Sequence, residues 1–428
     1  MLSRLHALVT GERRAPRKAA AAELLRERWL AGKARPAVGL DVGRSRVRCA
    51  VCVLDGEYMC FLGCGDAESK GWSRSRIHDP AAITESVRAA IQDAERAAGV
   101  PVSAAVVGVG GLAVEGQNMR GVYEFGRPRE VVAEDLSYAV ELASRVRLEE
   151  DRYLLQVLPQ DFTIDGRAGF RNPCGAAISR LEANVHVVTT SLREHEALVH
   201  AVQQAHIEVQ DTVFEPIAAA YAAILPEERE RGVALADIGA HSTGVAIYDG
   251  DALVRAASIP IGGDHFTRDV AQCLPALYDD ARQLKEEFGC ALLGLTGDSI
   301  LIHVPSPEGR PPRAVSRRFL NEILDARAQE LFHFVRQEIV ASGMDRDLLE
   351  GVVLTGGGAI LSGICDAADK VLDCQTRNGL PVGIEGWPEE IDDPAWATVA
   401  GLAMWSGRLK YRQSPGRKAP DLLKLILR

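Results

Sequence analysis

Three short glycine-containing strings constrain what this chain can fold into. Asp41-Val-Gly43 and Asp237-Ile-Gly239 each follow a short apolar segment typical of a buried strand, and Gly356-Gly-Gly358 follows a third such segment. A strand that ends in Asp and then Gly predicts a tight turn whose amides can face phosphate, and glycines let a base or sugar approach the backbone. Each string alone also fits an ordinary strand-to-turn glycine. All three in this order predict a nucleotide cleft between two related halves.

The length and composition predict a multidomain protein with sizeable cores. The chain has 428 residues, of which 47% are apolar, and this length is more than one typical domain. No uninterrupted apolar run of roughly eighteen residues occurs, and the first residues lack the apolar stretch of a secretory signal, so we expect no transmembrane helix. Nine cysteines in such a chain predict reduced thiols in a cytosol.

Four of the cysteines are close in sequence, at Cys49, Cys52, Cys60 and Cys64. Their spacing admits a zinc site. The segment around Cys49 and Cys52 has the pattern of a strand, however, and residues three apart in a strand point to opposite faces. We therefore interpret them as buried free cysteines.

Positive charge is concentrated at the two ends of the chain. Residues 1–35 contain nine Arg or Lys against three Glu, and residues 406–428 contain seven against one Asp, whereas the whole chain carries −10. An acidic body with basic ends does not fit a nucleic-acid-binding domain, which places positive charge on its folded surface. Basic ends fit an anionic membrane surface.

The last eight residues, 421–428, predict an amphipathic helix. At about 100° per residue, the five aliphatic side chains occupy one arc, and Asp421, Lys424 and Arg428 share the remainder. Such a short helix is not stable in water, so we expect it to fold on what it binds. A membrane is favoured over docking on the protein's own body because the flanks are basic. The predicted membrane contact comprises Leu422, Leu423, Lys424, Leu425, Ile426, Leu427 and Arg428.

The N-terminal extension over residues 1–36 has a related pattern. Apolar residues among the first nine fall on one helical face, and a basic run follows over residues 13–18. This segment is either a second membrane contact or a disordered extension.

Between the strings, helical and strand-like patterns alternate, which indicates mixed α/β layers. The patterns predict helices over residues 80–98, 135–146 and 191–205 and a buried strand over residues 104–110. Residues 113–192 do not begin with a phosphate loop, and we interpret them as an inserted subdomain.

Further motifs accompany the three strings, namely Leu158-Pro-Gln160, Asn172-Pro-x-Gly175, Arg180-Leu-Glu182, Val185-His186, Phe214-Glu-Pro-Ile217, Ile261-Gly-Gly-Asp264 and Leu284-Lys285. With these residues the chain resembles the actin, Hsp70 and sugar-kinase superfamily and, more specifically, the FtsA family of cell-division proteins. The three strings resemble that superfamily's two phosphate loops and adenosine loop. The inserted segment is similar to subdomain 1C of the FtsA family, and the likeness covers residues 37–428.

The resemblance implies an α/β, actin-like fold: a duplicated ribonuclease-H-like ATPase fold with two lobes around a nucleotide cleft and an FtsA-type subdomain 1C. The implied organisation is a basic extension over 1–36, subdomain 1A over 37–112 and 193–230, subdomain 1C over 113–192, subdomain 2A over 231–288 and 351–405, subdomain 2B over 289–350, and a basic linker with the membrane helix over 406–428.

The resemblance also implies ATP and Mg²⁺ as ligands. Asp41 and Asp237 would hold hydrated Mg²⁺, and Glu215 would orient a water molecule, although Glu215 also fits a plain helix start. The phosphates would be bound at Gly43, Arg44, Ser45, Arg46, Gly239, Ala240, His241, Ser242 and Thr243. The adenosine would be bound at Lys285, Glu286, Gly356, Gly357 and Gly358, although Lys285 also fits a surface charge.

Several residues depart from the family pattern. Arg44 replaces a small hydroxyl residue, Ala240 and His241 replace two glycines, and Arg282 stands where a Glu is common. Added cations strengthen phosphate binding, whereas lost glycines restrict the loops. We therefore expect ATP binding with weak or no ATPase activity. Arg44 and His241 pointing to solvent is the alternative.

A basic cluster lies around the start of a helix predicted over residues 316–341, in the implied subdomain 2B. The resemblance implies that this subdomain binds the acidic C-terminal tail of FtsZ, although a solvated basic helix face fits the same pattern. The residues are Arg313, Arg317, Arg318, Asn321 and Arg327.

The function implied is that of an ATP-binding, actin-like cell-division protein. It would polymerise on the inner face of the cytoplasmic membrane at the division septum, tether FtsZ filaments there and help to recruit other division proteins. Its partners would be the FtsZ tail, other copies of itself, anionic lipids and those division proteins, with no nucleic acid. An actin-like pilus-assembly protein and a small-molecule kinase of the same superfamily are the alternatives.

Overall fold

The structure is a computed structural model that describes residues 23–412 apart from 24, 56–57, 74–75, 146–147, 296, 298, 306–310 and 346. The predicted membrane helix over residues 422–428 and most of the N-terminal extension therefore lie outside the described residues. In the part of the chain that is described, we find no helix long and apolar enough to cross a bilayer.

The first lobe begins with three antiparallel strands. Two short strands, a helix and a parallel strand follow them. These elements are β1 (Arg35–Val42), β2 (Arg46–Asp55), β3 (Tyr58–Glu68), the short β4 (Trp72–Ser73) and β5 (Arg76–Ile77), α1 (Pro80–Ala98) and β6 (Ala104–Val109). The strand predicted over 104–110 and the helix predicted over 80–98 are confirmed.

The sequence at both ends of α1 explains its length. Before the helix, Asp79 accepts hydrogen bonds from the amides of Ala81 and Ala82, at 3.0 and 3.1 Å, which satisfies donors that have no partner inside the helix. Gly99 follows the last turn at φ +70° and its amide donates to the Glu95 carbonyl. That left-handed conformation is readily adopted only by glycine, so the helix ends there.

The inserted subdomain follows β6 and has a core of its own. Its elements are β7 (Glu115–Glu130), α2 (Ala133–Ser144), β8 (Arg152–Ile164), β9 (Arg167–Phe170) and β10 (Ala177–Ser191), with the strands in the order β7-β10-β8-β9. The helix predicted over 135–146 is confirmed and begins two residues earlier.

The chain then returns to the first lobe with α3 (Leu192–Gln204), which was predicted over 191–205, followed by β11 (Glu208–Phe214), α4 (Glu215–Ala223) and α5 (Pro226–Arg231). The second lobe starts with β12 (Val233–Ile238), β13 (Thr243–Asp249), β14 (Ala252–Ile259), α6 (Gly263–Cys273) and α7 (Tyr278–Phe288). It continues with β15 (Leu301–Val304), β16 (Arg313–Ser316), α8 (Arg317–Ser342), β17 (Val352–Thr355), α9 (Ile364–Leu372) and β18 (Thr376–Asn378).

The last two elements return to the first lobe. They are β19 (Ile384–Glu385) and α10 (Ala397–Arg412).

The two lobes repeat one sheet topology. The first sheet has the order β11-β6-β1-β2-β3-β19, and the second has the order β14-β13-β12-β17-β18. In both, the strand that ends in Asp-x-Gly lies between an antiparallel neighbour and a parallel one. The predicted α/β fold with two related lobes and an inserted subdomain is therefore confirmed, and both Asp-x-Gly turns emerge at corresponding strand ends.

His186 holds the inserted subdomain against the second lobe. Its Nε2 accepts a hydrogen bond from the Ala256 amide at 3.0 Å, and its Nδ1 lies 2.5 Å from the Asn118 amide oxygen. Burial lowers the pKa of His186 to about 4. The imidazole is therefore neutral at physiological pH, as an acceptor at Nε2 requires.

Cys49 and Cys52 were predicted to be buried free thiols on a strand, and this is confirmed. They face opposite sides of β2: Cys49 packs in the core shared with α1, and Cys52 packs in the core on the other side of the sheet. Cys60 and Cys64 are only partly buried, so the prediction of burial is wrong for these two.

Two boundaries differ from the sequence-based organisation. The boundary at residue 406 falls inside α10, which continues to Arg412 because Leu409 still packs on the first-lobe core. The extension predicted over 1–36 also reaches into the fold: Leu25 is 6% exposed, and Arg26 Nε donates to the Ala98 carbonyl at 2.6 Å. Arg26 thus satisfies an acceptor at the end of α1.

Candidate nucleotide site

A cleft of about 290 Å³ separates the two lobes, and nearly all the predicted ligand-binding residues line it. The predicted residues present in its wall are Asp41, Gly43, Arg44, Ser45, Arg46, Glu215, Asp237, Gly239, Ala240, His241, Ser242, Lys285, Glu286, Gly356, Gly357 and Gly358. Thr243 is fully buried, and its hydroxyl donates to the Ile261 carbonyl at 2.7 Å, so its side chain supports the fold rather than facing the cleft.

The second glycine turn is anchored to the start of α6. The amides of Gly263 and Asp264 donate to the carbonyls of Gly239 and Ala240, at 2.9 and 2.7 Å. Gly262 allows this approach, since a Cβ at that position would lie 2.6 Å from the Gly239 carbonyl oxygen. The turn is therefore held rigidly at the cleft wall by backbone contacts.

Asp237 lies at the base of the cleft and is 8% exposed. Its two oxygens accept hydrogen bonds from the hydroxyls of Thr355 and Thr398, at 3.2 and 3.1 Å. Burial raises its pKa above the ordinary range, and these two hydrogen bonds offset part of that effect. The two threonines come from opposite lobes, so Asp237 is oriented by both.

Asp41 occupies the corresponding position in the first lobe. Burial, assisted by the nearby Asp237 and Asp66, raises its pKa to about 7, and Arg48 partly opposes the shift. The Arg48 guanidinium is itself held by the Ala395 carbonyl at 2.8 Å. Negative charge at Asp41 is thus only partly compensated by the protein.

Glu215 is the first residue of α4 and projects into the same cleft. Its pKa is raised well above the ordinary range by burial and by the charges of Asp41 and Asp237, with Arg44 opposing. Gly110, which follows β6, makes room for it, because a methyl group there would overlap the Glu215 carboxylate. The sequence suggested both a helix start and a cleft residue, and the structure places Glu215 as both.

The glycine run after β17 packs directly against the second turn. Gly356 has φ +81°, and a Cβ on it would lie 2.5 Å from Asp237 Oδ1 and 2.6 Å from the Ile238 carbonyl oxygen. Gly357 differs, since nothing lies within 4 Å of a Cβ built there. The strict glycine requirement is therefore at Gly356, whereas Gly357 borders open space in the cleft.

Lys285 projects from α7 toward the start of α6. Its Nζ donates to the Gly263 carbonyl at 3.2 Å and to the Thr267 hydroxyl at 3.0 Å, and burial lowers its pKa. Lys285 is therefore a half-buried, hydrogen-bonded residue of the cleft wall and not a plain surface charge. Arg282, one turn earlier on α7, lines the cleft and lies 3.4 Å from Asp279.

The substituted residues Arg44 and His241 point into the cleft rather than to solvent. The Arg44 guanidinium lies 4.9 Å over the Trp72 ring. The His241 side chain is 16% exposed, and its Nδ1 lies 3.8 Å from Asp264 Oδ2. The departures from the family pattern thus change the chemistry of the cleft wall itself.

Several residues of the site carry little sequence signal. Thr355 directly precedes the glycine run, so the motif could have indicated it. Thr398 lies 161 residues from its partner Asp237, and no local pattern links the two. Arg48 and Trp72 sit in a strand and a short hairpin with no recognisable motif. Gly110 belongs to the string Gly108-Val-Gly110-Gly111. Glycines at the end of a strand were a sequence signal that the backbone of this segment also lies at the cleft.

Comparison with known proteins agrees with this geometry. The family profile "Cell division protein FtsA" matches residues 234–401, and "SHS2 domain inserted in FTSA" matches residues 111–189. The FtsA protein of Pseudomonas aeruginosa is 34% identical over 370 residues, which span 86% of this chain and 88% of that protein. The chain belongs to the FtsA family. The Escherichia coli K12 FtsA is 32% identical over 373 residues, covering 85% of this chain and 89% of the relative.

Solved structures confirm the actin-like fold of this FtsA-family chain. A PilM–PilN type IV pilus biogenesis complex aligns with TM-score 0.62 at 17% identity, over 87% of this chain and 98% of that one. MreB5 of Spiroplasma citri bound to ADP aligns with TM-score 0.54 at 14% identity, over 89% and 99% of the two chains. Family membership favours the cell-division interpretation over the pilus and kinase alternatives.

The predicted partner surface of the FtsA-family chain needs a correction. Asn321 is fully buried, and its side-chain oxygen accepts from the Cys290 amide at 3.0 Å. Arg327 forms a two-point ion pair with Asp269 on α6, with N···O distances of 2.5 and 2.9 Å. Both residues hold the fold together. Arg317 donates to the Phe288 carbonyl at 2.7 Å. Arg313 and Arg318 are the exposed members of the set, and Arg318 Nε donates to Glu322 at 3.1 Å.

Proposed function

We propose that this chain is an ATP-binding, polymerising membrane tether of the division machinery. The observation that carries the nucleotide part is the arrangement of three cleft carboxylates, the buried Asp237 and the half-buried Asp41 and Glu215, between two backbone turns and a glycine run. The raised pKa values of all three indicate negative charge that the protein alone does not compensate. A cation bound together with polyphosphate would compensate it.

Magnesium fits this donor set through its water shell. Mg²⁺ keeps several waters and is bound through one or two carboxylates plus phosphate oxygens. Within the described residues, no three acidic, His or Cys side chains converge closely enough to hold a metal ion directly. We therefore assign Asp41 and Asp237 to the waters of a hydrated ion, which would neutralise the phosphates.

We assign Glu215 to the water beside the terminal phosphate, with little catalytic power. A general base works best when its pKa lies near the operating pH. Burial and the charges of Asp41 and Asp237 raise the pKa of Glu215, and the expectation of weak or no ATPase activity rests on the side chains of Arg44, Ala240 and His241 in the two turns.

The membrane part of the proposal rests on the basic C-terminal segment. Leu422, Leu425 and Ile426 lie on the apolar face of the predicted helix, and Lys424 and Arg428 would meet anionic headgroups. One such short helix binds weakly, so polymerisation would supply affinity by presenting many copies on one surface. We therefore propose that the protein lies on the cytoplasmic side of the inner membrane, peripherally, at the septum.

The FtsZ tail is proposed to bind on the second lobe near β16 and the start of α8. Arg313 and Arg318 are exposed there, next to exposed Phe319 and Leu301, which are 42% and 63% accessible. Adjacent cationic and apolar side chains suit an acidic peptide that also carries apolar anchors. Other division proteins are proposed as further partners through the polymer.

Removing residues 413–428 is expected to abolish vesicle binding while leaving the fold intact. Truncation after Arg412 preserves α10, whereas truncation at residue 406 would remove Leu409, which packs on the core. The measurement is co-sedimentation with anionic vesicles, with ATP, Mg²⁺ and an FtsZ tail peptide present. The full chain should sediment and carry the peptide down.

The matched control for this experiment keeps the segment but changes its apolar face, by Leu422→Gln with Ile426→Gln. That variant should lose most vesicle binding and should keep the solution affinity for the peptide. Equal sedimentation of the full chain and the truncation would contradict the C-terminal tether. Loss of the peptide from sedimenting full-length protein would contradict the FtsZ assignment alone.

A further inference from the structure

Two polar side chains that replace small residues of the family pattern face the cleft from opposite lobes. Arg44 belongs to the turn between β1 and β2, and His241 belongs to the turn between β12 and β13. Both side chains line the cleft. The positive charge of Arg44 contributes to lowering the pKa of His241, so the two groups lie within electrostatic reach of each other across the gap.

Arg44 is oriented by an aromatic ring in the first lobe. Its guanidinium lies 4.9 Å over the ring of Trp72, and that ring is fixed because its Nε1 donates to the Ser69 hydroxyl at 2.9 Å. A guanidinium carries five N–H donors in one plane. This arrangement is compatible with N–H donation to an anion in the cleft.

His241 is held by the start of α6 in the second lobe. Its ring centroid lies 5.4 Å from that of His265, and its Nδ1 lies 3.8 Å from Asp264 Oδ2. The charged groups that act on it are Arg44, His265 and Arg268, which lower its pKa after burial, and Asp264, which raises it. An imidazole in this position has an N–H to donate whether it is neutral or protonated.

The Arg44 guanidinium is half-buried near several carboxylates of the cleft. Burial lowers the pKa of Arg44, and the charges of Glu215, Glu194 and Asp264 only partly oppose this. A phosphate group placed between the two turns would add compensating charge at the point where the lobes face each other. Charge-assisted hydrogen bonds to phosphate are among the stronger polar interactions in proteins.

We propose that Arg44 and His241 form a phosphate clamp, one side chain from each lobe, which binds the terminal phosphates of the nucleotide. The inference rests on the nucleotide binding proposed above and deepens it by naming the part of the ligand that the two residues recognise. Because the clamp bridges the lobes, a nucleoside di- or triphosphate would draw them together. The nucleoside and first phosphate would be bound by other groups.

The test is a phosphate-length series with the full chain in the presence of Mg²⁺. Affinities for ATP, ADP and AMP are measured by calorimetry for the wild type, Arg44→Thr, His241→Gln and the double variant. Arg44→Thr restores a small hydroxyl residue, and Arg44→Lys keeps a cation. The control Arg145→Gln removes an exposed charge that pairs with Glu141 in the inserted subdomain, remote from the cleft.

The clamp predicts that each single variant weakens ATP binding by about 10- to 100-fold and AMP binding by less than about twofold. The fold-loss of ATP affinity in the double variant should be smaller than the product of the two single fold-losses, because both residues bind the same phosphates. Arg44→Lys should recover part of the ATP affinity, and Arg145→Gln should match the wild type.

Two results would overturn the clamp and are distinguishable from failure of the proposed function. If the wild type binds ATP and the single variants bind it equally well, the clamp is wrong and nucleotide binding stands. If the variants lose affinity for ATP and for AMP equally, the residues support the site as a whole and do not recognise the terminal phosphates. The clamp is then wrong. A wild type that binds no nucleotide at all overturns the proposed function and the clamp with it.

Discussion

Replacing Asp41 by asparagine is expected to stabilise the nucleotide-free protein above neutral pH and to weaken Mg²⁺–nucleotide binding by about 100-fold or more. The pKa of Asp41 is about 7 in the fold, against 3.8 as its ordinary value. Between those values the folded protein retains a proton that the unfolded chain has lost. Stability of the wild type should therefore fall as pH rises from about 4 to 7.

Asparagine removes this dependence because it carries no ionisable proton. The difference in unfolding free energy between Asp41→Asn and the wild type should be small near pH 4 and should grow to a few kcal/mol, at most about 4, by pH 8. Urea unfolding at several pH values measures it. The control Gln92→Asn, on the exposed surface of α1, changes no ionisable group and should give a difference that does not change with pH in this window. A pH-independent gain at Asp41→Asn would contradict the charge argument.

The same substitution separates stability from function. The carboxylate costs stability in the empty cleft and is proposed to be retained because it holds the water shell of Mg²⁺. A stabilised Asp41→Asn that binds Mg²⁺–ATP as tightly as the wild type would contradict that role. Nucleotide affinity without Mg²⁺ should change little or increase, since a negative charge near the phosphates has been removed.

Gly356→Ala and Gly357→Ala are expected to differ sharply although the two residues are adjacent. Gly356 has φ +81° and ψ 169°, a conformation that is essentially restricted to glycine, and a Cβ there would lie 2.5 Å from Asp237 Oδ1. Backbone strain and overlap together should cost about 2–5 kcal/mol of unfolding free energy. Gly357→Ala should lie within about 1 kcal/mol of the wild type, because its Cβ meets open space.

A larger side chain at the second position turns this pair into a test of the cleft. Gly357→Leu should keep the fold, as judged by thermal unfolding, and should lose affinity for ATP and AMP alike, because the added side chain enters the space proposed for the adenosine. Equal destabilisation by the two alanine variants would contradict the backbone argument. Unchanged AMP affinity in Gly357→Leu would place the adenosine elsewhere.

Local sequence patterns predicted the lobes and the three glycine strings, and the family resemblance supplied most other residues of the cleft wall. A strand that ends in Asp-x-Gly specifies its own turn, and Gly99 and Asp79 specify the ends of α1, so these features were predictable from neighbouring residues. Arg44 and His241 were recognised as departures, but their direction depends on Trp72 and Asp264, which are distant in sequence. Local patterns carry no information about such contacts.

The features that were missed depend on long-range packing. Asn321 and Arg327 looked like part of a basic surface because helix periodicity does not show that Asp269 and the Cys290 amide cover that face. The end of α10 was placed too early because the polar composition after residue 406 resembles a linker, whereas Leu409 still reaches the core. Arg26 was counted as part of a basic extension and instead caps α1.

The most direct test of the account is electron microscopy of the protein on lipid monolayers that contain anionic lipid, with ATP and Mg²⁺, with ADP and Mg²⁺, and without nucleotide. The account predicts filaments of the full chain with ATP and none for the chain that ends at Arg412. Filaments that form equally without nucleotide, or a bare monolayer under conditions where calorimetry shows ATP bound, would contradict the proposal that nucleotide drives polymerisation on the membrane.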